Sequence, residues 1–428
     1  GKSSRLYKRL VYEDQIATDV SAYYSPGEIG SQFNIQATAK PGGNLAEVEK
    51  AIDEVLAQFL AEGPTKEELE RVKTKHVANF VRGIERIGGF GGKSDILAQS
   101  QVFGGNPEHY KKYLNYIGLS TIEDIKKASQ KWLSDGVYIL EVHPYPNYKE
   151  ALVGADRSKL PETETAPDVA FPKVEKAALS NGMKILLAER KSVPVVNFNL
   201  QVNAGFASDQ FSLPGTAGLA MAMLDEGTKT MQSLEISEKL DNLGATLGSG
   251  SNLDMSTVVM SALKDRLDES LKLYSDVILN PSFPEGEIER LKKERTAQIQ
   301  QEKSSPIQMG LRTFPALIYG KDHAYGLPFS GSGFENTILK ITRDDLVKFH
   351  ETWFKPNNAT LVVTGDITMD ELLPKLEEIF GDWKEGEVPA KNISEVKNTE
   401  KPVIYLMDKP GAQQSVIFSA KLFPGRNV

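Results

Sequence analysis

An internal repeat constrains this sequence more than any single motif does. Three residues of the first copy recur in the second after 219 or 221 positions: Arg71 as Arg290, Asp124 as Asp345, and Trp132 as Trp353. A pattern that returns at a nearly constant spacing marks one structural unit used twice. The chain is therefore predicted to contain two copies of one unit built from helices and strands.

The second copy contains a strand, a turn and a buried helix in succession. In the strand, Val196, Phe198, Leu200 and Val202 alternate with polar residues, which is the period of a half-buried strand. Residues 215–228 then form an apolar stretch rich in small residues. This stretch predicts a buried helix that ends at Gly227, a residue type favoured just after helices.

The predicted fold class is α+β, with tandem homologous two-layer α/β domains in which helices pack on a mostly antiparallel sheet. Two polar stretches without periodicity, residues 151–171 and 386–402, are predicted to be linkers. They separate residues 1–150, 172–385 and 403–428.

The copies differ in how they begin. The second opens with predicted strands over residues 177–202, whereas the first opens inside a helix and has its last predicted strand at 137–142. A third copy stops soon after predicted strands at 403–407 and 415–420. Half a domain at each end would leave unpaired sheet edges, so we expect the sequence to be a piece of a longer protein. The terminal strands are expected to pair with the sheet of the first unit, either in the same chain or from a neighbouring one.

Composition excludes several functional classes. The chain has 50 Lys and Arg against 58 Asp and Glu, a net charge of −8, which argues against a nucleic-acid partner. It has no apolar run long enough for a membrane span. With no cysteine, disulfides, Cys–zinc sites and thiol nucleophiles are excluded. The lack of thiols fits a periplasmic or otherwise exported protein, and a cytoplasmic location stays open.

The five histidines are too scattered for a helical metal site. None of them lies three or four positions from another: His76, His109, His143, His323 and His350. His76 and His350 are interpreted as surface or packing residues. The segment 323–326 is interpreted as a turn that packs Tyr325, with a contact to bound peptide as the alternative.

Several landmarks, in order along the chain, resemble the pitrilysin/insulinase-type zinc metallopeptidases, the inverzincins. They are residues 4–8, 179–183 and 205–228, the pair Glu294-Arg295, the Thr-x-x-Asp…Trp repeats, and Gly365-Asp366. The resemblance implies two homologous halves of two domains each, which enclose a chamber where a zinc in the first half cuts peptides. On that template, residues 1–150 are the second (chamber) domain, 172–385 the third, catalytic-like domain, and 403–428 the truncated start of the fourth.

Mapping the family's H-x-x-E-H motif onto this chain places its two zinc histidines at Gly218 and Ala222 and its catalytic glutamate at Met221. The distal zinc glutamate falls at Gln301. None of these four side chains supplies the anionic or imidazole ligands, or the base, that a zinc peptidase needs. We therefore expect no catalytic residue and no metal ligand in this chain, with a zinc-binding H-x-x-E-H before Gly1 in the parent protein.

The resulting hypothesis is a fragment of a two-half zinc metallopeptidase that contributes the peptide-enclosing chamber and the inactive half. Its expected partners are a peptide or unfolded polypeptide substrate and the upstream catalytic domain. The alternative is a non-catalytic scaffold or partner subunit of the same fold.

Overall fold

The computed structural model describes residues 1–27, 29–143, 172–399, 401–410 and 415–423. Its fold class is α+β, as predicted, with helices packed on a mostly antiparallel sheet. The predicted linker at 151–171 lies outside the described residues. Residues 386–399, 401 and 402 form no helix or strand.

The first unit is built on one β-hairpin. A short helix α1 (Arg5–Tyr7) continues as a π-helical segment (Lys8–Glu13), and antiparallel strands β1 (Ala17–Ser25) and β2 (Gln32–Ala39) follow. The later helices are α2 (Leu45–Glu62), α3 (Lys66–Gly83), α4 (Lys93–Gly104), α5 (His109–Leu119) and α6 (Ile122–Trp132). Leu10, Val20 and Val48 belong to the small core where the hairpin meets α2.

The second unit has a six-stranded sheet. Its strands are β3 (Glu175–Ala178), β4 (Lys184–Glu189), β5 (Val195–Val202), β6 (Thr246–Ser251), β7 (Ser256–Leu263) and β8 (Ala359–Gly365). They lie in the order β3-β4-β8-β5-β7-β6, and only the β4–β8 pair is parallel. A turn at Asn181 and Gly182 joins β3 to β4, with Gly182 at a φ of 82°.

The helices of this unit cover one face of the sheet. They are α7 (Thr216–Ala222), α8 (Ser233–Leu243), α9 (Leu267–Leu279), α10 (Glu285–Ser304), α11 (Pro306–Tyr319), α12 (Glu335–Ile338), α13 (Arg343–Trp353) and α14 (Met369–Phe380). On the central strand β5, Phe198 and Leu200 are buried while Asn199 between them is only partly so. This alternation confirms the predicted two-residue period and puts the main core between sheet and helices.

Equivalent helices of the two copies begin with the same cap. The Thr121 and Thr342 hydroxyls accept from the backbone N–H three residues on, while Asp124 and Asp345 accept from the N–H of the threonines at 2.9 and 2.8 Å. A capping box is also present at Thr65. Capping depends on local sequence, so it survives even where the surroundings of the two copies differ.

The two copies differ in what covers these helices. Trp353, at the end of α13, is 2% exposed, whereas its counterpart Trp132 is 72% exposed. The strand predicted at 137–142 is wrong, because those residues form no strand and Val137 and Leu140 lie open to solvent. Its counterpart β8 pairs with β4 and β5. Residues 1–16, before β1, hold no counterpart of either strand, which leaves 137–142 without pairing partners.

The strands predicted at 403–407 and 415–420 do not form, and within this chain they do not pair with the sheet of the first unit. Among the described residues, β1 pairs with β2 alone, and residues 403–407 and 415–420 form no strand. Instead, the ring of Phe418 lies 5.8 Å from that of Phe314 on α11, over the bare backbone of Gly310. This segment therefore packs against α11 through an aromatic contact and is not paired in a sheet.

A buried ion-pair cluster joins the two units. Glu226, 3% exposed, accepts from Lys2 Nζ of the first unit at 2.8 Å, from Arg290 Nη2 at 2.8 Å and from Ser233 Oγ at 2.6 Å. Burial alone would raise the pKa of Glu226, but the charges of Lys2 and Arg290 outweigh burial and hold that pKa below its usual value. Nearby, α3 packs against α8.

Replacing Arg290 tests this cluster. Arg290→Met leaves the Glu226 and Glu287 carboxylates without their shared cation, and we expect a loss of about 3–5 kcal/mol in the free energy of unfolding. The matched control is Arg9→Met, because the pairs of Arg9 with Asp14 and Glu54 are solvent-exposed and worth about 1 kcal/mol or less. Urea unfolding followed by circular dichroism measures both; equal losses would contradict the assigned role of Arg290.

Candidate functional site

A buried aspartate positions the helix that the sequence singled out. Between β5 and α7, a 3₁₀ turn (Phe206–Phe211) presents Asp209, whose carboxylate accepts from the backbone N–H groups of Gly215 at 2.7 Å and Ala217 at 2.8 Å. Gly215, with a φ of 101°, has no side chain of its own for capping α7. Asp209 therefore supplies the cap from a distance.

Helix α7 is shorter than predicted. It ends at Ala222, so the prediction that it continues to Gly227 is wrong. After Met221 the chain tightens into 3₁₀-type turns, and Ser249 Oγ donates to the Met221 carbonyl at 2.7 Å. Glu226 of the inter-unit ion-pair cluster lies just after this end of the helix.

A cavity of about 200 Å³ lies at the position mapped to the zinc histidines. Gly218 and Ala222 line it, as do residues of the β6 strand, the 330–331 loop and α10. The full lining is Phe206, Gly218, Ala222, Ser249, Gly250, Ser251, Arg295, Ser330 and Gly331. The cavity lined by these residues is called the α7 cavity.

The other two mapped positions do not line the α7 cavity. Met221 is 1% exposed and belongs to the main core. Gln301 is exposed on α10, and it is Arg295 of that helix that lines the cavity. The structure thus brings Gly218 and Ala222 together with Arg295.

The loop opposite α7 leaves little room for a side chain at position 218. A Cβ on Gly218 would lie 3.0 Å from the Gly331 carbonyl oxygen, tighter than ordinary van der Waals contact. Gly331 itself has a φ of 64° and packs on the ring of Phe206. The loop therefore closes over the position where a ligand side chain would stand.

Two charged side chains near the α7 cavity differ in their partners: Glu302 is paired with a cation, whereas Arg295 is hydrogen-bonded to a neutral amide. Buried Glu302 accepts from Arg312 Nη1 and, at 2.8 Å, from Ser332 Oγ. Arg295 Nη1 donates to the neutral Gln298 Oε1 at 3.0 Å. Burial lowers the pKa of the Arg295 guanidinium, which remains a cation because arginine titrates far above neutral pH.

The residues of the α7 cavity do not fit a zinc ion. Zinc needs three anionic or imidazole donors, whereas this lining offers hydroxyls, glycines, an aromatic ring and a cation. The residues that the structure describes contain no group of three His, Asp or Glu side chains able to hold a metal. No step of metal chemistry is therefore assigned to this cavity.

Two histidines have structural roles. Ring contacts with Phe354 and Phe283 surround His350, whose Nε2 lies 2.7 Å from the Ile278 carbonyl oxygen. Burial lowers the pKa of His350 to about 4, so the ring is neutral and donates this bond. In the 323–326 turn, His323 Nδ1 accepts from the Tyr325 N–H at 3.0 Å, which agrees with the turn interpretation.

Sequence reasoning missed two residues at this site. Asp209 lay unnoticed inside a turn-rich stretch, although an Asp six residues before a helix that begins with Gly was a usable signal for a remote cap. Arg295 served only as a family landmark. Its placement in the cavity depends on which face of α10 packs against α7, and sequence alone did not settle that.

Within the described residues, no helix is long and apolar enough to cross a membrane.

Two family models match the chain. The model described as insulinase (peptidase family M16) matches residues 184–321, and the model described as peptidase M16 inactive domain matches residues 1–75 and 340–427. Together they include Arg71 and Arg290 of the repeat and the lining of the α7 cavity apart from Ser330 and Gly331.

Curated relatives are similar over about half of the chain. The mitochondrial-processing peptidase subunit beta of Rattus norvegicus is 26% identical over 55% of this chain and 48% of its own length. An uncharacterized zinc protease of Rickettsia felis is 25% identical over 50% of this chain and 52% of its own. The chain therefore spans about half the length of these relatives. Among solved structures, a peptidase M16 inactive domain from Pseudomonas fluorescens is 26% identical with a TM-score of 0.49, covering 51% of this chain and 53% of that one.

The buried carboxyl of Asp209 predicts a pH-dependent stability. Burial raises its pKa from 3.8 to about 7, despite the two backbone N–H donors that favour the ionised form. The unfolded chain then releases this proton at lower pH than the folded chain, so the contribution of Asp209 is complete below about pH 4 and falls as the pH rises to about 7. Urea midpoints measured across that range should fall less steeply with pH in Asp209→Asn. The control is Asp135→Asn at an exposed position; an unchanged slope in Asp209→Asn would refute the assignment.

Metal analysis tests the absence of zinc ligands. We expect the purified chain, dialysed against zinc and then against buffer, to retain far less than one zinc per chain by mass spectrometry. The reason is that a cation and hydroxyls replace the required donors. One tightly held zinc per chain would contradict this.

Proposed function

Because this chain belongs to the insulinase (peptidase M16) family, we propose that it contributes the chamber domain and the inactive half of a two-half zinc metallopeptidase. In this proposal the reaction is cleavage of a peptide or unfolded polypeptide, carried out at a zinc held outside these 428 residues. The proposed units are residues 1–150, 172–385 and 403–428.

The observation that carries the proposal is the state of the α7 cavity. The strand, turn and helix on which the family places its metal motif are all present, yet the cavity there is lined by Gly218, Ala222 and Arg295. A cavity that retains its framework while its ligands are replaced by groups unable to bind zinc suits a half that shapes an enclosure without doing chemistry.

Contacts between the two units support the proposal that this chain forms part of the wall of the chamber. Arg82 of α3 donates from Nε to Ser261 Oγ at 3.0 Å, and Lys75 pairs with Asp241 at 2.9 Å. With the Glu226 cluster, these contacts tie the first unit to the second through charged and hydrogen-bonded groups on several elements. Such a joint can hold two domains as one surface facing a substrate.

Activity measurements on the longer open reading frame test the proposal. We expect the protein containing an upstream H-x-x-E-H to cleave an internally quenched peptide and to lose that activity with a zinc chelator. The chain 1–428 alone should cleave nothing, because its cavity lacks both the ligands and the general base.

Two outcomes would overturn the proposal. One is chelator-sensitive cleavage by the chain 1–428 alone. The other is an upstream segment without H-x-x-E-H in a protein that cleaves no peptide, which would leave the scaffold or partner-subunit role as the function of this fold.

A further inference from the structure

We propose that the α7 cavity is an anion-binding site, in which Arg295 binds a small oxyanion such as a carboxylate or an inorganic phosphate. This inference goes beyond the proposed function, because it gives the cavity that cannot hold zinc a ligand of opposite charge. It rests on the surroundings of Arg295 and on the volume enclosed.

Among the described residues, Arg295 has no carboxylate within ion-pair distance. The adjacent Glu294 lies 3.6 Å from Arg290 Nη1 and is largely exposed. Glu302, on the same face of α10, is already paired with Arg312. The single hydrogen bond of the Arg295 guanidinium in this part of the chain goes to a neutral amide, out of five N–H groups that it can donate.

The hydroxyl groups that line the cavity already donate their hydrogen bonds to other protein atoms. Ser249 donates to the Met221 carbonyl. Ser256 donates to the Ala204 carbonyl, so Ser251 must be the donor in its 2.7 Å contact with Ser256. Ser330 faces acceptors on Glu302 and Ser332. These commitments leave the Arg295 guanidinium as the main donor that the side chains of the lining offer a ligand.

A partly buried cation with spare donors favours an anionic ligand of matching geometry. A guanidinium binds a carboxylate or phosphate through two parallel N–H···O bonds, and such charge-assisted bonds are stronger than neutral ones. Burial, which lowers the pKa of Arg295, adds to the gain from a counter-charge. The volume of about 200 Å³ suits a phosphate or the end of a peptide and is below that of ordinary drug-sized pockets.

The shared chemistry is an oxyanion, and its two possible sources are a free small anion and the C-terminal carboxylate of a peptide. Calorimetric titration of the chain 1–428 at fixed ionic strength separates them. One arm uses inorganic phosphate, and the other uses a tetrapeptide with either a free or an amidated C-terminus. We expect saturable binding at millimolar or lower concentrations in at least one arm. Preference for the free over the amidated tetrapeptide identifies the peptide terminus as the source.

Three variants locate the binding. Arg295→Gln removes the charge and should weaken binding at least about tenfold, the loss expected for hydrogen bonds to a charged group. Ala222→Leu keeps the charge but fills the cavity, and it should weaken binding similarly. Arg266→Gln, the matched control at an exposed position outside the cavity, should bind as the unaltered chain does. Circular dichroism of each variant checks that it is folded.

The proposal is overturned if the unaltered chain shows no saturable binding of either probe. It is equally overturned if folded Arg295→Gln and Ala222→Leu bind as tightly as the Arg266→Gln control. None of these outcomes depends on peptidase activity, so the result is separate from the test of the proposed function.

Discussion

The arrangement of the two units depends on one buried carboxylate. Glu226 brings together the start of the chain through Lys2, helix α8 through Ser233 and helix α10 through Arg290. An ionised group in the interior is costly unless its partners are charged and well placed, so these three segments must meet in one geometry. Helix α7, which ends at Ala222 shortly before Glu226, forms one wall of the α7 cavity.

Local signals in the sequence predicted local structure well. The alternation along β5 was predicted, and it depends on residues close in sequence. The turn at Gly182 and the threonine caps depend on such residues too. The prediction of a strand at 137–142 was wrong because it rested on the apolar pattern of that segment alone. A strand forms only where a neighbouring strand pairs with it. The contrast between Trp132 and Trp353 has the same origin. The two residues hold equivalent positions in the repeat, but only Trp353 is covered by neighbouring elements.

The candidate site was predictable in identity but not in geometry. Positions 218 and 222 followed from matching residues around Gly227, and they do line one cavity. Counting along α10 pointed to Gln301, whereas the packing of that helix turns Arg295 inward. Helical spacing narrows a contact to one face, and tertiary packing decides which face is buried. The role of Asp209 likewise required knowing how the turn folds back onto α7.

The closeness of the Gly331 carbonyl to Gly218 bears on what substitutions this cavity can accept. Reintroducing histidines at positions 218 and 222 would press one of them against the loop and set both beside a guanidinium. Building a metal site at this cavity would therefore need the loop, the helix residues and Arg295 to change together. Two histidines alone would bring the steric and electrostatic cost without a complete set of ligands.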